Sequence, residues 1–192
     1  MSNTMLNPVQ KKMEAPVMEA VFDLLRKTKG QRYVSITGRS MLPIIREGDQ
    51  ALVSLGCAGI RRGDVIVFRH EGVLIAHRVL RIGRMDPGYR LVTKGDNVPY
   101  FDAPLRDNQV VGRVLAVKRG NRQVPLDTVA WRMAGWLIAI GALSFDKLQV
   151  RVRNLRQKYF GLHFRRETSF VYRGVQVLSR AMRKSLMLFF SR

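Results

Sequence analysis

Between residues 33 and 117 the apolar positions fall in short, β-branched runs over 33–37, 50–55, 64–69, 73–82, 89–93 and 110–118. Each run is bounded by Gly, Asp or Pro, and this pattern predicts strands of a half-buried sheet. Turn chemistry falls where such strands must reverse, at Glu47-Gly48-Asp49, Arg62-Gly63-Asp64, Glu71-Gly72 and Asp86-Pro87-Gly88. The middle of the chain therefore reads as a compact, mainly antiparallel β domain. Ahead of it, Val17, Val21, Leu24 and Leu25 recur at helical spacing over 16–27, and Lys29-Gly30 supplies a helix stop. After Pro125 the texture changes to thirteen residues without a charge, 133–145. About 20 apolar residues are needed to cross the hydrocarbon core of a bilayer, so this run predicts a helix packed on the β domain or lying at an interface. Over 169–190, Phe170, Val171, Leu178, Leu186 and Phe189 are interleaved with Arg173, Arg180, Arg183 and Lys184, the pattern of a basic amphipathic helix. The expected organisation is an N-terminal amphipathic helix (1–30), a β domain (31–125) and a basic, partly apolar helical tail (126–192).

Charge adds the identity of a partner class. Lys and Arg number 34 against 14 Asp and Glu, a net charge of +20 that implies an anionic partner. Nucleic acid and an anionic membrane surface both fit that balance, and the Phe and Leu residues set among the tail arginines favour the membrane. Cys57 is the only cysteine, which excludes an intrachain disulfide and a cysteine-rich metal site and suits a reducing compartment. The first 30 residues contain no apolar h-region, so the chain is expected to stay on the side where it is made, membrane-associated through its tail or else cytoplasmic. Neither a cofactor nor a metal is expected.

Three blocks carry candidate chemistry. The first is Gly38-Arg39-Ser40-Met41-Leu42-Pro43, followed by Gly48-Asp49 and an apolar strand. Gly38 permits an unusual turn that leaves Ser40 at the edge of a groove, although a Ser in a Gly-containing turn is by itself more often structural. The second is Gly63-Asp64-Val65-Ile66-Val67-Phe68, then a turn and a strand ending Ala76-His77-Arg78-Val79. The third is Thr93-Lys94-Gly95-Asp96-Asn97, with Asp102 beyond it.

Together these blocks resemble the serine peptidase superfamily of signal peptidases and LexA-like proteins over about residues 33–117. The His-Arg-Val setting is similar to the endoplasmic-reticulum and archaeal signal peptidases, which use His where the bacterial type and LexA use Lys. The resemblance implies a LexA/signal-peptidase-like β fold, Ser40 as nucleophile and His77 as its base. A hydroxyl is a poor nucleophile until a base takes its proton, and a neutral imidazole does this near neutral pH. Either Asp102 or Asp96 would orient the imidazole, Asp102 being favoured and Asp96 serving as a structural or assisting carboxylate. The backbone around Gly38, Ser40 and Met41 would hold the substrate and its oxyanion. Lys94 is the rival base, because a buried lysine can lose its proton near neutrality, but it stands in the wrong block. His70 and His163 match no position of the family. The expected function is cleavage of signal or leader peptides; the alternatives are a LexA-like regulator, self-cleaving or DNA-associated, and an inactive peptide-binding homologue.

Overall fold

The computed structural model describes Leu24 and residues 30–71, 73–86 and 88–160. Apart from Leu24, the helix expected over 16–27 lies outside the described residues, and so do the basic helix expected over 169–190 and His163. Among the described residues eight strands form one sheet: β1 (Gln31–Ser35), β2 (Gln50–Leu55), β3 (Val65–His70), β4 (Val73–Arg84), β5 (Tyr89–Lys94), β6 (Leu105–Arg106), β7 (Val110–Arg119) and β8 (Arg122–Pro125). Helix α1 (Val129–Phe160) follows. The fold is thus mainly β and antiparallel, in the order β1-β2-β7-β3-β4-β5-β6.

Strand β7 organises the sheet. One edge pairs with β2, from Gln50↔Lys118 to Leu55↔Gly112. The other is shared by β3, over Ile66↔Arg113 to Phe68↔Val110, and by β8, over Ala116↔Pro125 to Arg119↔Arg122. Strand β3 is central and buried on both faces, which explains its unbroken apolar run. Val65 and Val67 enter a cluster with Met41, Ile45, Val53 and Trp131, whereas Ile66 and Phe68 point the other way, to Val79, Leu91 and Leu105.

The two Gly-Asp turns use one device. Asp49 accepts the N–H of Arg46 at 2.7 Å, and Asp64 accepts that of Arg61 at 2.8 Å, so each carboxylate closes the turn three residues before it. Asp49 also receives two hydrogen bonds from Arg119 of β7, at 2.8 and 2.6 Å, which tie the first turn to the centre of the sheet.

Helix α1 begins at Thr128, whose carbonyl accepts the N–H of Arg132 at 2.9 Å and whose hydroxyl faces the N–H of Trp131 at 3.4 Å, an N-cap arrangement. The helix packs backbone to backbone on the second Gly-Asp turn. A Cβ on Gly135 would lie 2.5 Å from the Gly63 carbonyl oxygen, and one on Gly63 would collide with the backbone of Gly135 and Trp136. Only glycine at both places allows this approach. The helix is longer than the apolar run 133–145 suggests, because Leu148, Val150, Val152 and Leu155 carry it on past Asp146-Lys147. Strands β6 and β8 are further additions to the pattern read from the sequence.

Candidate active site

Ser40 opens a helical turn in which the N–H of Ile45 reaches the Met41 carbonyl at 3.1 Å. Met41, Ile44 and Ile45 are buried in the first core cluster, so the residues directly after Ser40 anchor it. Each such burial stabilises by roughly 1.5–3 kcal/mol. Gly38 has φ +97°, the left-handed region where a side chain is strained, and it lets the chain turn into Ser40.

His77 stands on β4 opposite Ile66 of β3. Its ring is buried, edge-on to Phe68 at 6.0 Å between centroids. Its Nδ1 lies 2.7 Å from Asp102 Oδ2, and the Thr93 hydroxyl donates to the same oxygen at 2.7 Å. The Asp102 N–H returns to the Thr93 carbonyl at 3.0 Å, which fixes the loop between them. Burial pushes the Asp102 carboxyl up, but the hydrogen bonds from His77 and Thr93, with the charge of His77 and His70, outweigh it and hold the group below its ordinary value. An ionised carboxylate only accepts, so the proton of a neutral His77 belongs on Nδ1, and Nε2 is left with a free lone pair.

That nitrogen lies near the Ser40 main chain. A Cβ placed on Gly95 would be 2.8 Å from His77 Nε2 and 2.8 Å from the Ser40 carbonyl oxygen, so the two atoms lie within twice that distance of each other. The same loop grips the serine segment directly. Asn97 donates its N–H to the Ser40 carbonyl at 2.7 Å and its side-chain amide to the Arg39 carbonyl at 3.1 Å.

Asp96 has another partner. Arg78 Nε and Nη2 bind its two carboxylate oxygens at 2.9 and 2.7 Å, and Arg78 Nη1 donates to the Gly63 carbonyl at 2.6 Å. Both side chains are buried. Adjacent residues of a strand face opposite ways, so His77 is directed to Asp102 and the serine segment while Arg78 is directed to Asp96 and helix α1. Lys94 is half-buried, with Nζ 3.5 Å from the Gly95 carbonyl. His70 is exposed at the end of β3, with Nε2 4.0 Å from Glu71 Oε1. Among the described residues, no group of three or more His, Cys, Asp or Glu is placed to hold a metal.

Ser40 and His77 both line an open groove of about 280 Å³, whose walls include Val34, Ile36, Ala76, Leu74 and Tyr100. Two strand edges border it. Strand β1 pairs with β2 along one side. Strand β4 pairs with β3 from Val73 to Arg78, whereas β5 joins its other edge only from Arg78 onward. The edges of β1 and of the first half of β4 therefore have no strand partner on their groove sides among the described residues. Three contacts were not assigned from the sequence: the Thr93 hydroxyl on Asp102, the Asn97 clamp on Ser40, and the Arg78–Asp96 pair. All three belong to blocks visible there, but their partners follow from strand register, which spacing alone does not give.

The family model described as Peptidase S24-like matches residues 6–115. The signal peptidase complex catalytic subunit sec11 of Dictyostelium discoideum is 29% identical over 114 residues, 58% of this chain and 58% of that protein. The chain thus spans well under two thirds of the length of that relative. Helix α1 lies beyond the matched family region.

Proposed function

This chain belongs to the peptidase S24-like family, and on that footing we propose that it is a serine endopeptidase of the signal-peptidase type, working by Ser40, His77 and Asp102. The observation that carries the reading is the placement of His77, with Nδ1 on Asp102 and Nε2 near the Ser40 carbonyl oxygen. An extended peptide adds to the open edges of β1 and β4, and main-chain hydrogen bonds set its scissile carbonyl over Ser40. As Ser40 Oγ attacks the carbonyl carbon, its proton passes to His77 Nε2 and the carbonyl π pair moves to oxygen. Backbone N–H groups at Ser40 receive that oxyanion. Asp102 balances the imidazolium through Nδ1–H. When the C–N bond breaks, His77 returns the proton to the leaving amine, and a water deprotonated by His77 then hydrolyses the ester on Ser40. Asp96 takes no part in these transfers and holds Arg78.

Substrates are exported preproteins or leader peptides, with small residues near the cut, presented beside an anionic membrane surface. The sec11 resemblance suggests that partner subunits assist. The test is turnover of a membrane-proximal leader-peptide library, read by mass spectrometry, for the natural chain beside Ser40→Ala and His77→Ala. Cleavage lost in both variants supports the peptidase; cleavage unchanged in either removes that residue from the mechanism.

A further inference from the structure

Helix α1 is apolar on two sides. Trp131, Ala134 and Ile138 on its inner side pack in the first core cluster. Elsewhere on its surface Val150 and, on the outer side, Val129, Met133, Trp136, Leu137, Leu148 and Leu155 are exposed, Met133 by 62% and Leu137 by 57%. At about 100° per residue the six on the outer side fall in one sector roughly 120° wide, pointing away from the core. A helix on a protein surface normally turns a polar face outward. Over 133–145, which carry no charge at all, this one turns an apolar stripe outward, and further along Lys147 and Arg151 enter the same sector.

Charge decides what covers that stripe. A second copy is disfavoured, because each chain carries +20 and the stripe runs past Lys147 and Arg151. The chain's own end is disfavoured for the same reason, since residues 151–192 hold eleven Lys and Arg against the single acid Glu167. Several acids of the described region are withdrawn from the surface. Asp49, Asp96 and Asp102 are held internally by Arg119, Arg78 and His77, and the exposed Asp127 is paired with Arg113. An anionic bilayer satisfies both halves of the helix, hydrocarbon taking the uncharged first half of the stripe and headgroups taking the basic residues of the second. No helix among the described residues is long and apolar enough to cross a membrane, and the inner side of α1 is committed to the core. We infer that the outer face of α1 docks the protein on an anionic phospholipid bilayer, with the helix lying in the interface plane and Trp136 at the headgroup–acyl boundary. The inference deepens the membrane part of the reading above and is independent of the peptidase chemistry.

The chain's two tryptophans make the test direct. Trp131 is 7% exposed and Trp136 47% exposed. In the full chain, Trp131→Phe leaves Trp136 as sole reporter; should that variant fail to fold, the difference between the natural chain and Trp136→Phe supplies the same signal. With phosphatidylcholine vesicles containing phosphatidylglycerol, Trp136 emission is expected to shift to the blue and to be quenched by lipids brominated near the headgroup. Pure phosphatidylcholine gives a much weaker response. Met133→Glu with Leu137→Glu lowers partitioning roughly a hundredfold. Vesicle binding with Trp136 unchanged, absence of binding, a preference for RNA over vesicles, or a blue shift driven by protein concentration alone as a dimer forms would each overturn the inference. Cleavage of a soluble leader peptide by the same samples separates failure of docking from failure of the peptidase reading.

Discussion

His77 is held by groups that leave it little choice of orientation. Asp102 fixes Nδ1, and Thr93 donates to the same carboxylate oxygen. Asp102→Asn presents an amide that can no longer demand the Nδ1–H tautomer, so kcat is expected to fall by roughly 10²–10⁴-fold with a smaller change in KM, read by steady-state kinetics. The same carboxylate links stability to pH. Its folded value is lowered below 3.8, so its contribution is fully present above that pH and is lost as pH falls through the lower folded value. The urea midpoints of the natural chain and Asp102→Asn should therefore differ most above about pH 4 and converge in stronger acid. Arg78 and Asp96 form the second buried pair. Removing one partner strands a buried charge, so Asp96→Ala should destabilise by about 3–5 kcal/mol, whereas Arg78→Met with Asp96→Leu should be much milder. Ser40, His77 and the candidate carboxylates are legible in the sequence as residue types in recognisable blocks. The choice between Asp96 and Asp102 is not, because both follow β5 in the same loop region and only the opposite facing of His77 and Arg78 separates their partners.

Among the elements, strands with turn signals at both ends were the most legible. The run 50–55 coincides with β2, and β3, β4, β5 and β7 depart from the expected limits by one or two residues. Strand β8 was hidden by Pro125, which argues against a central strand, but as β8 pairs on one side with β7 it has room for a proline at its end. Its Gly120-Asn121 turn was present as a hairpin signal. Strand β6 has two residues, too few to show any period. The length of α1 was hidden because its second half mixes Lys and Arg with spaced apolar residues, so the uncharged run marked only its first half. The contact between Gly63 and Gly135 leaves no volume for a side chain, and Gly135→Leu must push α1 away from the turn that Arg78 binds. A loss of about 1–3 kcal/mol is expected in urea unfolding, with Trp131 emission shifting to the red in the folded state.

At the scale of the molecule, one sheet brings together residues from three separate stretches. Ser40 precedes β2, His77 lies on β4, and Asp102 follows β5; pairing of β3 with β4 and of β4 with β5, and the Asn97 clamp, join them. The excess of basic residues was plain from composition, whereas the surface that would use it was not, since the outer stripe of α1 becomes visible only once its inner face is known. Raising salt should weaken binding to anionic vesicles steeply while cleavage of a short soluble peptide changes little, because screening acts on the exposed charges and not on the buried His77–Asp102 pair. The central claim is that Ser40 is the nucleophile and His77 its base. The measurement that meets it most directly is labelling of the full chain by a leader-like peptide ending in a serine-reactive phosphonate ester, followed by peptide mapping. The account predicts one adduct, on Ser40, absent from Ser40→Ala and formed at least about a hundredfold more slowly by His77→Ala; an adduct elsewhere, or equal labelling of His77→Ala, would contradict it.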